Sequence, residues 1–480
     1  FEARDLEKAQ FKTDNPFEEL GVKQEVLEVP ISSMCKESLK DSGLDNKSVL
    51  RCKNMFALGL VCWLFNRNLA AAEKMLREKF AKKPEIAEAN IKVLNDGFNY
   101  GANTHASVST YKIESKAPKS KGLYTDINGN KATSYGLIAA AEKAGLELYL
   151  GSYPITPATD ILHELAKHKS LGVKTVQCED EIAGCASAVG AAFAGALAVT
   201  TTSGPGVCLK SEAMNLAVIG ELPLVIVNVQ RGGPGLGTIQ PSQSDYFQAT
   251  RGGGNGDYYL IVLAPNSVQE MADFVDLAFT LAFKYRTPTM ILSDGVIGQM
   301  MEKVVLPPFK PRRTEEEILK ECPWASTGCN GTRKRNVITS LELKSEVMEE
   351  RNIHLQEKYK TIRENEVRYE TKFMDDADYM IVAFGSAARI AEKAIEMARK
   401  EGIKVGLLRP ITLWPFPTNE IEAAAKNVKG ILVAEINAGQ MVDDVKLAVN
   451  GSVPVVHYGR LGGIVPEPEE MVNVIKEKLV

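Results

Sequence analysis

Two prolines bracket a threonine in the stretch Tyr153-Pro154-Ile155-Thr156-Pro157, and downstream a carboxylate, Glu181, heads the small-residue run Ile182-Ala183-Gly184-Cys185-Ala186-Ser187-Ala188-Val189-Gly190. Each proline fixes its own φ and biases the residue before it toward extended backbone, so Thr156 stands at a rigid corner with its hydroxyl aimed in a defined direction. A hydroxyl held in that way suits the positioning of a substrate. Glu181 has two readings: a carboxylate favoured in a first helical turn by the dipole, as Glu179 and Asp180 beside it also are, or a functional acid. Ser203-Gly204-Pro205-Gly206 is a turn whose amides could cradle an anion or a ring, or could serve tight backbone geometry alone. Arg231 carries a planar guanidinium suited to a substrate carboxylate and equally to an interdomain salt bridge. The glycines after it, in Gly232-Gly233-Pro234-Gly235-Leu236-Gly237, would let a substrate loop approach closely, and Arg251-Gly252-Gly253-Gly254 offers a second such run.

The elements that must carry these residues alternate along the chain. A helix is expected over 132–143, a strand over 146–150, and the Tyr153 corner leads into a helix over 158–168. Strands follow at 174–177, 197–202, 223–230, 258–263 and 289–292, with helices at 181–195, 207–219 and 267–285. Apolar strands alternating with helices predict an α/β fold with doubly wound parallel sheets, in which ligands sit at the carboxyl ends of the strands. Thr156, Glu181, Ser203 and Arg231 each follow a strand in this scheme and so share that rim. A second α/β unit has strands at 380–384, 405–408, 430–435 and 453–457 and a proline-rich corner from Arg409 to Pro417. Between the two units the composition turns charged, with Arg312, Arg313, Glu315, Glu316 and Glu317 and then residues 344–372, which predicts a solvated helix bridging domains. Ahead of both, residues 54–100 carry a helical apolar pattern, and residues 106–125 read as a surface linker. The chain begins at Phe1, and its first stretch reads as the back half of an α/β domain whose opening strand and turn are missing, as after processing or truncation.

Composition narrows the function. The 480 residues correspond to about three domains, and a net charge of −4 supplies no basic field for nucleic acid or an anionic membrane. No apolar run approaches the roughly 18 residues that a membrane span needs. Eight cysteines without the dense, even spacing of a disulfide framework suit a reducing cytoplasm. No C-x-x-C pair or cluster run occurs, so an iron-sulfur site in this chain is not expected, and no metal is assigned; Cys322 and Cys329 lack two further ligands. None of the five histidines joins a hydrolase elbow. A nicotinamide dehydrogenase is disfavoured because no G-x-G-x-x-G follows a first strand with an acid about 20 positions on.

The Tyr153-to-Pro157 corner with the Glu181-headed helix resembles the alpha component of the 2-oxoacid:ferredoxin oxidoreductases, thiamine-diphosphate enzymes that oxidatively decarboxylate a 2-oxoacid onto coenzyme A and pass electrons to ferredoxin. Asn54-Met55-Phe56-Ala57-Leu58-Gly59, and Asn90-Ile91 ahead of Gly97 and Gly101, resemble the gamma component, which some members fuse in front of alpha; a generic helical hairpin is the alternative. Phe384-Gly385-Ser386 and the Arg409-to-Pro417 corner resemble the family's transketolase C-terminal-like domain, with no catalytic role assigned to them. The layout so implied is a partial gamma-like domain over 1–106, a linker over 107–127, a pyrimidine-binding thiamine-diphosphate domain over 128–306, a charged linker with a helix over 307–376, and the C-terminal domain over 377–480.

The resemblance also implies roles. Glu181 binds the aminopyrimidine ring and favours its imino tautomer, whose nitrogen is the base; Tyr153, Pro154, Ser203 and Gly204 complete the cofactor contacts. Thr156 donates to the substrate's carbonyl oxygen or the alkoxide derived from it, and Arg231 clamps its carboxylate. The small residues Ala183, Gly184, Ala186 and Ala188 permit close approach of a neighbouring element, which suits an interface. No Gly-Asp-Gly with a following Asn-rich metal segment is present, so the pyrophosphate, Mg2+ and a four-iron four-sulfur cluster are expected in a separate beta subunit. This chain would then be inactive alone and work as an αβ heterodimer or its dimer, in the cytoplasm, without nucleic acid or membrane. The loop after Arg231 looks like members acting on 2-oxoglutarate or branched-chain 2-oxoacids more than on pyruvate. Two alternatives stand beside this: another thiamine-dependent enzyme of decarboxylase or transketolase type, and a non-catalytic structural subunit of the same fold.

Overall fold

The computed structural model describes residues 3–24, 26–104, 109–113, 121–306, 314–329, 331 and 333–480. Arg312, Arg313, the side chain of Glu315, and residues 107, 108 and 114–120 of the expected linker lie outside the described residues. Two compact units divide the chain between Lys121 and Gly122.

The first unit is helical, with no strand among its described residues, where the sequence suggested the remnant of an α/β domain. Its helices Lys53–Leu64 and Pro84–Thr104 touch backbone to backbone. A Cβ on Gly97 would stand 2.8 Å from the Phe56 carbonyl carbon, and one on Gly59 2.8 Å from the Phe98 nitrogen. Both positions therefore need glycine for this crossing. Phe56, Val93 and Leu94 are fully buried around it.

In the second unit the strands are β1 (Thr125–Asn128), β2 (Leu148–Ser152), β3 (Lys174–Gln177), β4 (Leu197–Thr202), β5 (Val225–Gln230), β6 (Ile261–Leu263), β7 (Thr289–Asp294), β8 (Met301–Val304), β9 (Tyr369–Lys372), β10 (Tyr379–Ala383), β11 (Val405–Pro410), β12 (Thr412–Trp414), β13 (Gly430–Glu435) and β14 (Val455–Gly459). A seven-stranded sheet runs β12-β6-β7-β5-β4-β2-β3, parallel except for β12. Strands β4, β5 and β7 are buried along their whole length, which is why they read as continuous apolar or threonine-bearing runs. A five-stranded sheet runs β14-β13-β10-β11-β9, with β9 antiparallel, and β1 pairs with β8 apart from both.

The expected α/β architecture is present, but the two sheets are joined more closely than the sequence suggested. Beyond the Arg409-Pro410 corner the chain leaves the second sheet, and β12 becomes the edge strand of the first, antiparallel to β6. Arg409 is 1% exposed; its Nη1 and Nη2 donate to Glu270 at 2.8 and 2.7 Å, and its Nε lies 3.0 Å from Glu370. Trp414 stacks on Tyr259 at 4.8 Å, with Tyr359 edge-on at 5.6 Å. The corner is a structural joint.

Helix Ser345–Asn365 is not the fully solvated bridge its charges suggested. Leu355, Tyr359 and Ile362, one helical seam inside a charged surface, are buried in the main core. Among the described residues no helix is long and apolar enough to cross a membrane.

Candidate active site

Parallel pairing aligns the carboxyl ends of β3, β2, β4 and β5, and the residues after each end form one rim. Ser152 closes β2 and its Oγ donates to the Thr201 carbonyl at 2.8 Å, tying that end to β4. The Tyr153–Pro157 corner follows. Arg231, the first residue beyond β5, reaches across and donates from Nη1 to the Thr156 carbonyl at 2.9 Å. Arg231 is 8% exposed and its Nε has no partner in the structure. It is therefore not spent on a salt bridge, and a donor remains for an anion. The Thr156 side chain is exposed. Tyr153 is exposed too and Pro154 half-buried, and no hydrogen bond ties either to Glu181 or Arg231.

Glu181 opens helix Glu181–Phe193. The capping is done by Asp180, whose carboxylate accepts from the Ala183 amide at 2.8 Å, an interaction typically worth about 1 kcal/mol. The Glu181 carboxylate is thus released from that task; it is buried, with no hydrogen bond from any described residue. It lies over the turn that begins helix Gly204–Ile219: a Cβ on Gly206 would stand 3.0 Å from Glu181 Cγ and 3.2 Å from Oε1, and would also collide with Thr202 Oγ1. Gly206 is what leaves room for the acid. Ser203 precedes the helix without capping it, and its buried Oγ has no partner.

Two rim residues were missed in the sequence. Lys210 is fully buried beneath Glu181, donating from Nζ to Thr200 Oγ1 at 2.8 Å and to the Glu181 carbonyl at 3.4 Å. Burial pushes its pKa down, against the upward pull of Cys185 and Glu181. Burial pushes the Cys185 thiol up to about 11, so it is a packed, protonated thiol. A signal for Lys210 existed: it stands on the same helical face as Val207, Met214 and Ala217, where every neighbour is apolar. Asp245 had no local signal. An isolated bridge between Arg231 and Pro241 folds the loop back and returns Asp245 to the rim. There its oxygens face Gly204, 2.6 and 2.7 Å from where a Cβ would stand.

Ser203 Oγ, Asn228 Oδ1, Arg231 Nε and Gln248 Oε1 are all buried without partners in this region. Buried polar groups are ordinarily paired, so such a cluster fits a ligand. An unbonded carboxylate over a glycine floor, next to a helix start and a guanidinium with a spare donor, fits a nitrogenous ring and a carboxylate side by side. No group of three or more metal-ligating side chains occurs among the described residues.

The second sheet closes the rim from one side. Gln243 Nε2 donates to the Phe384 carbonyl at 2.8 Å, and Ser386 Oγ to the buried Asp294 carboxylate at 2.6 Å. Gly385-Ser386 and the end of β7 therefore form a contact between the two sheets.

The second unit is a doubly wound α/β domain with a buried acid at a helix start beyond its strand ends, followed by a smaller α/β domain. Comparison with known proteins gives this architecture its class. Residues 139–368 match the family model for pyruvate flavodoxin/ferredoxin oxidoreductase, thiamine diphosphate-binding. Residues 377–471 match the pyruvate:ferredoxin oxidoreductase core domain II, and residues 8–100 match the model named pyruvate ferredoxin/flavodoxin oxidoreductase. Ketoisovalerate oxidoreductase subunit VorB of Methanothermobacter marburgensis is 46% identical over 355 residues, 73% of this chain and 97% of the relative. 2-Oxoglutarate oxidoreductase subunit KorA of Mycobacterium tuberculosis is 38% identical over 468 residues, 92% of this chain and 71% of the relative. The solved 2-oxoglutarate:ferredoxin oxidoreductase from Magnetococcus marinus, with 2-oxoglutarate, coenzyme A and succinyl-CoA bound, superposes with a TM-score of 0.77 at 28% identity, covering 95% of this chain and 80% of that one. The chain belongs to the 2-oxoacid:ferredoxin oxidoreductase family as one subunit of a multi-subunit enzyme, with its first matched domain in front of the thiamine-type domain.

Proposed function

We propose that this chain is the gamma-alpha subunit of an oxidoreductase that converts 2-oxoglutarate or a branched-chain 2-oxoacid, with coenzyme A, into acyl-CoA and CO2, or runs the reverse. Two electrons leave per turnover and are carried by ferredoxin. The observation that carries the reading is the Glu181 carboxylate, buried, relieved of capping by Asp180 and without a hydrogen bond.

Thiamine diphosphate would supply the carbanion chemistry that decarboxylation needs. Glu181 would hold the pyrimidine ring by a hydrogen bond, with Tyr153, Pro154, Ser203 and Gly204 lining the cofactor. Thr156 presents a hydroxyl that makes no hydrogen bond in the structure and would donate where negative charge develops on the substrate oxygen. Arg231 would bind the substrate carboxylate. Its anchor on the Thr156 carbonyl keeps the two substrate contacts in a fixed relation. The diphosphate, Mg2+ and four-iron four-sulfur cluster belong, in this reading, to a beta subunit in an αβ heterodimer or its dimer, in the cytoplasm. Ile182, Leu209 and Leu216 are exposed on the two helices that meet at Glu181, an apolar surface suited to that partner.

The test is anaerobic copurification of the tagged native chain, scored for a thiamine-diphosphate- and cluster-bearing partner, followed by 2-oxoacid- and coenzyme A-dependent dye reduction. Glu181→Ala should lower turnover by about 100- to 10,000-fold, the usual worth of a positioned acid or base. A colourless lone chain, with the partner gene expressed, would overturn the assignment in favour of a non-catalytic subunit.

A further inference from the structure

We propose that Asn130 is a positioning residue of the substrate site: its side-chain amide grips the backbone beside Thr156 and so fixes where the Thr156 hydroxyl meets the reacting oxygen of a 2-oxoacid. This inference rests on the function proposed above, which gives Thr156 that contact.

Asn130 is the second residue of helix Gly129–Ala144, and the fold brings it against the Tyr153–Pro157 corner. The helix is capped by Asn128, whose side chain accepts from the Lys131 amide at 3.0 Å, so the Asn130 side chain is left for another task. Asn130 is fully buried, and its Nδ2 donates to the Pro157 carbonyl at 2.9 Å. Its Oδ1 has no partner in the structure and faces Gly298, where a Cβ would stand 3.0 Å from it. A buried acceptor without a partner costs stability, and asparagine is a poorer helix former than a leucine of similar size. Packing therefore does not account for an amide at this position, whereas the hydrogen bond it donates does.

That bond completes a set of three along the corner: the Ile155 carbonyl accepts from the Thr159 amide at 3.0 Å, that of Thr156 from Arg231 Nη1 at 2.9 Å, and that of Pro157 from Asn130. The first is a local turn, and the other two come from side chains 75 and 27 residues away in the chain. Each carbonyl fixes the orientation of one rigid peptide plane, so the backbone is held before, at and after Thr156. The Pro157 ring is buried, and a Cβ on Gly295 would stand 3.7 Å from its Cγ and 3.6 Å from Pro241 Cα. The corner thus rests on the turn that folds back the loop after Arg231.

The Thr156 side chain is exposed and makes no hydrogen bond with any described residue, so its direction is set by the backbone that carries it. Without the Asn130 donor the last of the three planes is free to turn, and the Pro157 carbonyl is left unpaired. Arg231 keeps its place at the end of β5. Loss of Asn130 should therefore spare the binding of the substrate carboxylate and weaken the stabilisation of charge developing on the substrate oxygen, which separates kcat from KM.

The experiment uses the assembled complex and a double-mutant cycle between Asn130→Leu and Thr156→Val, with Asn130→Ala as a second variant that removes the donor without adding bulk. Dye reduction gives kcat and KM for 2-oxoisovalerate and for 2-oxoglutarate. Asn130→Leu should lower kcat by about 10- to 100-fold, the scale of a misplaced reacting group, with KM within about threefold of wild type. Thr156→Val should lower kcat by about 100- to 1,000-fold, the usual worth of a donor to a developing oxyanion. In the Thr156→Val background, Asn130→Leu should change kcat by less than about threefold, because the hydroxyl it positions is gone. Losses that multiply in the double variant, a kcat near wild type for the Asn130 variants or for Thr156→Val, or failure of both Asn130 variants to assemble overturns this inference. Each of these results leaves the 2-oxoacid oxidoreductase assignment standing. A wild-type complex that oxidises no 2-oxoacid overturns both.

Discussion

Gly206→Ala tests the placement of Glu181 without touching its chemistry. The new methyl would stand 3.0 Å from Glu181 Cγ and 3.2 Å from Oε1, with Thr202 Oγ1 closing the other side. Carbon atoms in contact prefer about 3.5–4.0 Å, so the acid must retreat by roughly 0.5–1 Å. Overpacking of this kind costs about 1–3 kcal/mol, partly offset by about 1 kcal/mol from replacing glycine inside a helix. Stability should therefore fall by no more than about 2 kcal/mol, and the chain should still fold. Catalysis should suffer more, because a misplacement of about 1 Å can cost 100-fold. Dye reduction by the assembled complex should drop by about 10- to 100-fold, while the melting temperature of the chain moves little. Gly190→Ala, on the Glu181 helix but with nothing within 4 Å of its new methyl, serves as the stability control and should be neutral or stabilising by up to about 1 kcal/mol. Turnover of the Gly206→Ala complex within threefold of wild type would refute the argument that the Glu181 side chain acts from the position seen over Gly206.

Arg409→Met leaves Glu270 and Glu370 without their shared guanidinium, and should cost about 2–4 kcal/mol in denaturant unfolding, below the value for a fully enclosed pair because both acids keep some solvent contact; an unchanged midpoint would show that β12 is held by its aromatic packing alone. Lys210→Met bears on pH. Burial holds the folded-state pKa of Lys210 below its unfolded value, so the native chain binds fewer protons in that window, and wild-type stability gains a contribution as pH rises from the folded toward the unfolded pKa. The methionine variant should lack that contribution; urea midpoints at pH 7.5, 9 and 10 that run parallel in the two proteins would refute it.

The placement of single residues was legible without a fold. The two prolines around Thr156, the acid ahead of small residues and the glycine turn after β4 are local patterns, and local sterics and hydrogen bonding decide them, so the rim assignments for Thr156, Glu181, Ser203 and Arg231 could be made from strand order alone. The parallel α/β architecture was legible for the same reason, since strands covered on both faces must be apolar throughout.

What the chain could not state locally is which distant segments share a contact. Asp180 and Glu181 are both acids at a helix start, and only the folded geometry separates the one that caps from the one left unbonded. Asp245 reaches the rim through a loop that doubles back at Pro241, and Lys210 becomes a buried cation because β4 and the Glu181 turn close over it. The Arg409 corner reads in the sequence only as a rigid proline-rich turn, and the fold makes it the joint through which one sheet lends a strand to the other. Propensity and spacing act over a few residues, whereas burial, charge pairing and the pKa of an acid depend on everything packed around it; the amino-acid sequence determined the parts of this site, and tertiary packing decided which of them are free to act.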